Sequence, residues 1–250
     1  MLAQDYVDSL NEVRPLIELI DKASLNSNVL TANGFDAALL GPATAGAIVL
    51  LVGRFEQFLK DVGSAALDHY ARAVPVVLRS QLPLKLQLRI LTGNLTAAAS
   101  KSRHGVSRVD RDRIRAIDQA ANKAVNDRIW ADDVIDTYSN PSPDTVKEIL
   151  ELLGLSDPWS LLEAEFQALW VPAQARQGLK NVPSAHSELK SILVWRNAVA
   201  HSNSGLPIGA QQLIETATYL ECLGLAIDEV LQSHTNAAIA RLGSAPGAWP

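Results

Sequence analysis

The sequence predicts an all-α fold. Apolar residues recur at three- and four-residue intervals through nearly every segment, and no alternating run bounded by turn residues reads as a strand. Of the 250 residues 48% are hydrophobic, ample for a buried core. A single helical domain over residues 1–240 is expected, with 241–250 as a loose tail of small residues and proline.

The elements follow in order. Residues 5–22 place Leu10, Val13, Leu16, Ile17 and Ile20 on one face of a first helix, and 26–34 supply the loop and turn residues of its exit. From Pro42 to about Tyr70 runs a long apolar helix with Ile48, Leu51, Val52, Phe55, Phe58 and Leu59 at core spacing. A helix opening at Pro75 and another from Leu82 to about Ala99 continue the pattern until 101–105 breaks it. Residues 110–129 read as a more polar helix and 130–143 as a loop ending in Asn140-Pro141-Ser142-Pro143. Ser142 is a suitable N-cap for a short helix that stops at Gly154. Pro158, behind Ser156 or Asp157, opens a helix carrying Leu161, Leu162, Phe166, Leu169 and Trp170. Ser184 caps a helix over about 184–201 with Leu189, Ile192 and Leu193 inward, and a last helix is expected from Pro207 to about Leu231.

Composition narrows the function. A net charge of −5 argues against coating nucleic acid through bulk charge and leaves the task to a local site. The single cysteine, Cys222, allows no internal disulfide, and the first residues lack a basic and then apolar leader. The longest apolar run, 43–52, is too short to span a bilayer, so a cytoplasmic chain with no membrane partner is expected. His69, His186 and His234 have no second ligand at metal spacing, and there is neither a Gly-rich phosphate loop nor a Gly-x-Ser-x-Gly elbow. The chain is therefore read as using no metal and no cofactor.

The most informative segment is Arg196-Asn197-Ala198-Val199-Ala200-His201, a polar pair at the end of an apolar helix, followed at once by Ser202-Asn203-Ser204-Gly205. An arginine holds a phosphate through its planar fork, and a histidine titrating near pH ~6.5 moves a proton. Five residues at about 100° each do not share a face of one regular helix, so the histidine is expected in the last turn or just beyond it. The bland reading is two cations offsetting the helix dipole, worth about 0.3–1 kcal/mol each. The chemical reading is a site able to cleave RNA through its own 2′-hydroxyl.

This segment resembles the signature of the HEPN superfamily, in which Arg, usually followed by a polar residue such as Asn, precedes His at the end of a helix. Arg196, Asn197 and His201 match it. The apolar helix Val49–Leu59 with its embedded Phe55-Glu56 pair is similar to that of the RiboL-PSP-HEPN and related MAE-type branches. Asn140–Thr145 and Ile149–Leu155 look like that family's loop and short helix before the signature helix, and the resemblance covers about residues 40–232. It implies a HEPN-type helical bundle with additional helices and a metal-independent endoribonuclease, commonly the toxin of a toxin–antitoxin or other defence system. It also implies a homodimer with paired signatures and an antitoxin or other system protein as partner. His201 takes the proton-transfer role, Arg196 clamps the phosphate, and Asn197 and Glu56 orient; Glu56 is expected to pair with Arg196. Ser202 departs from the Gly that often follows the histidine. Family members without activity serve as RNA- or protein-binding modules, which is the competing reading, and a toxin that is itself nucleotide-modified by a partner enzyme is a third.

One dense basic run remains. Arg103, Arg108, Arg111, Arg113 and Arg115 form either an RNA track or, with Asp110 and Asp112 interleaved, a solvated and self-paired helix face.

Overall fold

The computed structural model describes residues 2–25, 39–100, 109–130, 134–201 and 208–250, with side chains for all of these except 94–100, 109–114, 116, 200 and 201. Every regular element among them is helical: α1 (Leu2–Asn11), α2 (Arg14–Leu25), α3 (Leu40–Arg72), a 3-10 turn (Arg79–Gln81), α4 (Leu84–Ser100), α5 (Val109–Val125), α6 (Pro143–Leu152), α7 (Pro158–Gln177), α8 (Ala185–His201) and α9 (Ala210–Arg241). The fold class is all-α. No helix among the described residues is long and apolar enough to cross a membrane.

The expected first helix is two. Pro15 sits in the first turn of α2, where it has no N–H to give to the carbonyl of Asn11 and its ring crowds that group, so the chain turns at Glu12 and Val13. The helix expected at Pro75 is absent. Val74, biased towards extended backbone by the proline after it, exchanges two backbone hydrogen bonds with Ala245, at 3.0 and 2.8 Å. Beside that pairing Ser244 is buried, and the Trp249 ring meets His69 edge-on at 5.1 Å. The last helix runs ten residues beyond Leu231 because Leu231, Thr235 and Ile239 continue one buried stripe at four-residue spacing.

The chain packs as two compact units. The first comprises residues 1–59, 138–147 and 157–230. Its core holds two aromatic clusters. Tyr6 stacks on Phe58 at 4.2 Å and donates its hydroxyl to the carbonyl of Leu220 at 2.8 Å. Gly224 leaves room for that ring, because a Cβ there would lie 2.2 Å from a Tyr6 ring carbon. Phe166 lies against Trp170 at 5.8 Å and meets Tyr219 edge-on at 5.3 Å, and α7 packs on α8. Full burial of each such side chain contributes about 1.5–3 kcal/mol. The second unit comprises 60–137, 148–156 and 231–250. There α4 packs on α5, and Asp127, at φ 54°, pairs with Arg79 at 3.1 Å while accepting from the Ser80 backbone.

Candidate functional site

Helix α8 is built to display one polar face. Ala185, Leu189, Ile192 and Leu193 are buried at four-, three- and one-residue steps, which leaves His186, Lys190, Val194 and Asn197 on the other side. Its start is fixed from α7. Glu163 accepts from the backbone N–H of Ala185 at 2.8 Å, Gln167 donates to the carbonyl of Pro183 at 2.9 Å, and Trp170 donates to that of Asn181 at 3.1 Å. The hydroxyl of Tyr219, from α9, donates to the carbonyl of Ala185.

At the other end, Arg196 is half-buried and Asn197 exposed. The guanidinium donates to Asn197 Oδ1 at 3.0 Å and to the backbone carbonyl of Ser139 at 3.2 Å. The Ser139 carbonyl is aimed by an unusual turn: Tyr138 and Ser139 are consecutive non-glycine residues with φ of 51° and 56°. Left-handed backbone costs such residues roughly 1–2 kcal/mol each, and it concentrates at functional sites. His201 is the last residue of α8, its backbone about 140° around the axis from Arg196, and its side chain lies outside the described residues.

The turn continues into α6. Ser142 caps that helix, accepting from the backbone N–H of Thr145 at 3.1 Å, and the Trp159 indole donates to the carbonyl of Pro143 at 3.3 Å. Between this turn and the polar face of α8 lies a cavity of about 310 Å³. Asn140, Ser142, Pro143 and Asp144 line one wall, and His186, Lys190, Leu193, Val194 and Asn197 the other. The His186 ring is held edge-on against Trp159, with centroids 5.1 Å apart and planes at 89°.

The other expected site residues fall as follows. Glu56 is half-buried on α3 and engaged in a polar interaction, and the Arg196 guanidinium donates to Asn197 and Ser139. Arg103 and Arg108 lie outside the described residues; Arg111 and Arg113 are placed on α5 by backbone alone, and Arg115 is exposed. Among the described residues no three His, Cys, Asp or Glu side chains converge as metal ligands would. Sequence spacing advertises neither the Tyr138–Ser139 turn nor the cavity. His186, Lys190, Val194 and Asn197 at helical spacing were the available signal for one wall, but the partner wall depends on how a distant loop folds back.

A family model, RiboL-PSP-HEPN, matches residues 4–233. The chain belongs to the RiboL-PSP-HEPN family. No curated protein and no solved structure matches it. The match runs from α1 into α9 and contains the whole of α8, the Tyr138–Asp144 turn and Glu56. HEPN domains are RNA-related and often nucleases, so a coarse RNA-directed role follows from membership.

Glu188, in the first turn of α8, has its carboxyl pushed up, first by burial and then by the Glu215 carboxylate. A group raised in the folded state contributes stability below its unfolded pKa, and that contribution is lost as pH rises through the folded value. Glu188→Gln should therefore raise the melting temperature at pH 7, with the gap closing below about pH 4, where unfolded carboxyls also protonate. Melting curves at the two pH values check this; an unchanged or lowered melting temperature at pH 7 counts against it.

Proposed function

We propose that this HEPN protein is a metal-independent endoribonuclease acting as a toxin or defence-system effector. The observation that carries the reading is the held guanidinium of Arg196, one turn and a half before a terminal histidine. Its two contacts use two of five N–H groups and fix the plane of the fork, leaving three for phosphate oxygens. In the reaction His201 takes the proton of the substrate's 2′-hydroxyl as that oxygen attacks the adjacent phosphorus. The bond to the 5′ oxygen breaks, that oxygen gains a proton, and a 2′,3′-cyclic phosphate and a 5′-hydroxyl result. Arg196 stabilises the charge building on the non-bridging oxygens. Asn197 orients the guanidinium, and Glu56 serves as an orienting carboxylate.

The test is substrate chemistry. The purified chain should cut RNA in excess chelator and leave DNA and 2′-O-methyl RNA intact. RNA binding without cleavage would turn the reading to a non-catalytic RNA-binding HEPN module.

Because the backbones of Arg196 and His201 lie on different faces of α8, a second copy is the natural source of a complementary pair. A homodimer with two signatures across a two-fold axis is part of the proposal, with an antitoxin or other system protein holding it silent. Light scattering should show a dimer at micromolar concentration; a fully active monomer overturns the shared site.

The α5 arginines are assigned to RNA capture. Replacing Arg111, Arg113 and Arg115 by Gln should weaken binding and lower the salt slope by about 0.7 for each phosphate that is no longer neutralised. Superimposable filter-binding curves for wild type and triple mutant would reduce that stretch to a solvated helix face.

A further inference from the structure

The cavity beside Arg196 has the size and lining of a site for a single ligand moiety. Its 310 Å³ stands at the small end of ligand pockets, which run about 300–1,000 Å³, so it fits one nucleoside and not an extended cofactor. Its chemistry is divided. Lys190 supplies a point charge, Asn140 and Asp144 supply amide donor and acceptor and carboxylate acceptor groups, and Leu193 and Val194 supply an apolar surface for a ring. Asn197 belongs both to this lining and to the pair that orients Arg196, so a group in the cavity lies next to any phosphate on the guanidinium. The strained turn that aims the Ser139 carbonyl at Arg196 runs directly into the Asn140 wall, and Tyr138 at its head is 65% exposed.

We infer that this cavity is a nucleotide-recognition subsite for the RNA residue flanking the phosphate held by Arg196. Lys190 contacts that residue's own phosphate, and Asn140 and Asp144 read the edge of its base. A carboxylate and an amide discriminate among bases because each base displays a different order of donors and acceptors, whereas a lysine on phosphate does not. The inference rests on the RNA-directed reading of Arg196 and names which part of the substrate confers sequence preference.

The experiment separates the subsite from the catalysis. Fluorescently labelled 2′-O-methyl homopolymers of A, C, G and U are titrated against the full chain and against Lys190→Ala, Asn140→Ala and Asp144→Asn, with RNA cleavage followed in parallel. Wild type should rank the four homopolymers. Lys190→Ala should raise Kd by roughly tenfold for all of them, and raise KM with kcat little changed. Asn140→Ala and Asp144→Asn should flatten the ranking; Lys190, Asn140 and Asp144 are all exposed, so melting temperatures should stay near wild type. If the chain ranks and binds the homopolymers through Lys190 and Asn140 yet cuts no RNA, the subsite stands and catalysis fails. If it cuts RNA and all three variants keep wild-type Kd, KM and ranking, catalysis stands and the subsite is wrong.

Discussion

His201→Ala should lower RNA cleavage by roughly 10²- to 10⁴-fold, the usual contribution of a positioned general acid–base, with the helical circular dichroism unchanged. The physical contrast is with a helix-end cation. If His201 and Arg196 only offset the dipole of α8, alanine at either costs about 0.3–1 kcal/mol of stability and leaves turnover alone. Arg196→Lys sharpens the contrast, because it keeps the charge and loses the planar fork that Asn197 and Ser139 hold. Dipole compensation survives that change, and a bidentate phosphate clamp does not. Wild-type cleavage by both His201→Ala and Arg196→Lys removes this pair from the mechanism.

The largest stability effect is expected from Trp170→Ala. Trp170 is 2% exposed, lies against Phe166, and donates to the Asn181 carbonyl in the connection from α7 to α8. Deleting it opens a cavity and leaves that carbonyl with Gln174 alone of its two side-chain donors. Truncations of this kind cost about 3–5 kcal/mol, which in a chain of this size lowers the melting temperature by roughly 6–20 °C. The link to function is direct, since the residues from Asn181 to Ala185 set the start of α8 and therefore the position of Arg196. A melting temperature within about 2 °C of wild type would show that Trp170 is not a keystone of the first unit.

The fold class was legible because helical periodicity is a local signal. The core of α3, with Ile48, Leu51, Phe55 and Phe58, follows from spacing alone, and Ser142 reads as a cap from its neighbours. The failures lie where distant chain decides. Val74 is held extended by Ala245, 171 positions away, so a proline that could have opened a helix does not. The last helix is expected to end near Leu231, yet Thr235 and Ile239 are buried and it runs on to Arg241. The site divides in the same way. Arg196 and Asn197 were visible as a motif, and they do meet. Arg196 also donates to the Ser139 backbone carbonyl, a contact that no side-chain pattern advertises.

The most direct test of RNA cleavage by 2′-hydroxyl attack is the chemistry of the product ends, formed by the wild-type chain in excess chelator and compared with the His201→Ala protein. Cleavage through Arg196 and His201 predicts 5′-hydroxyl ends opposite 2′,3′-cyclic phosphates, absent with the variant. Products with 3′-hydroxyl and 5′-phosphate ends, formed only when Mg²⁺ is restored, would instead place a metal-activated water at phosphorus and contradict the mechanism.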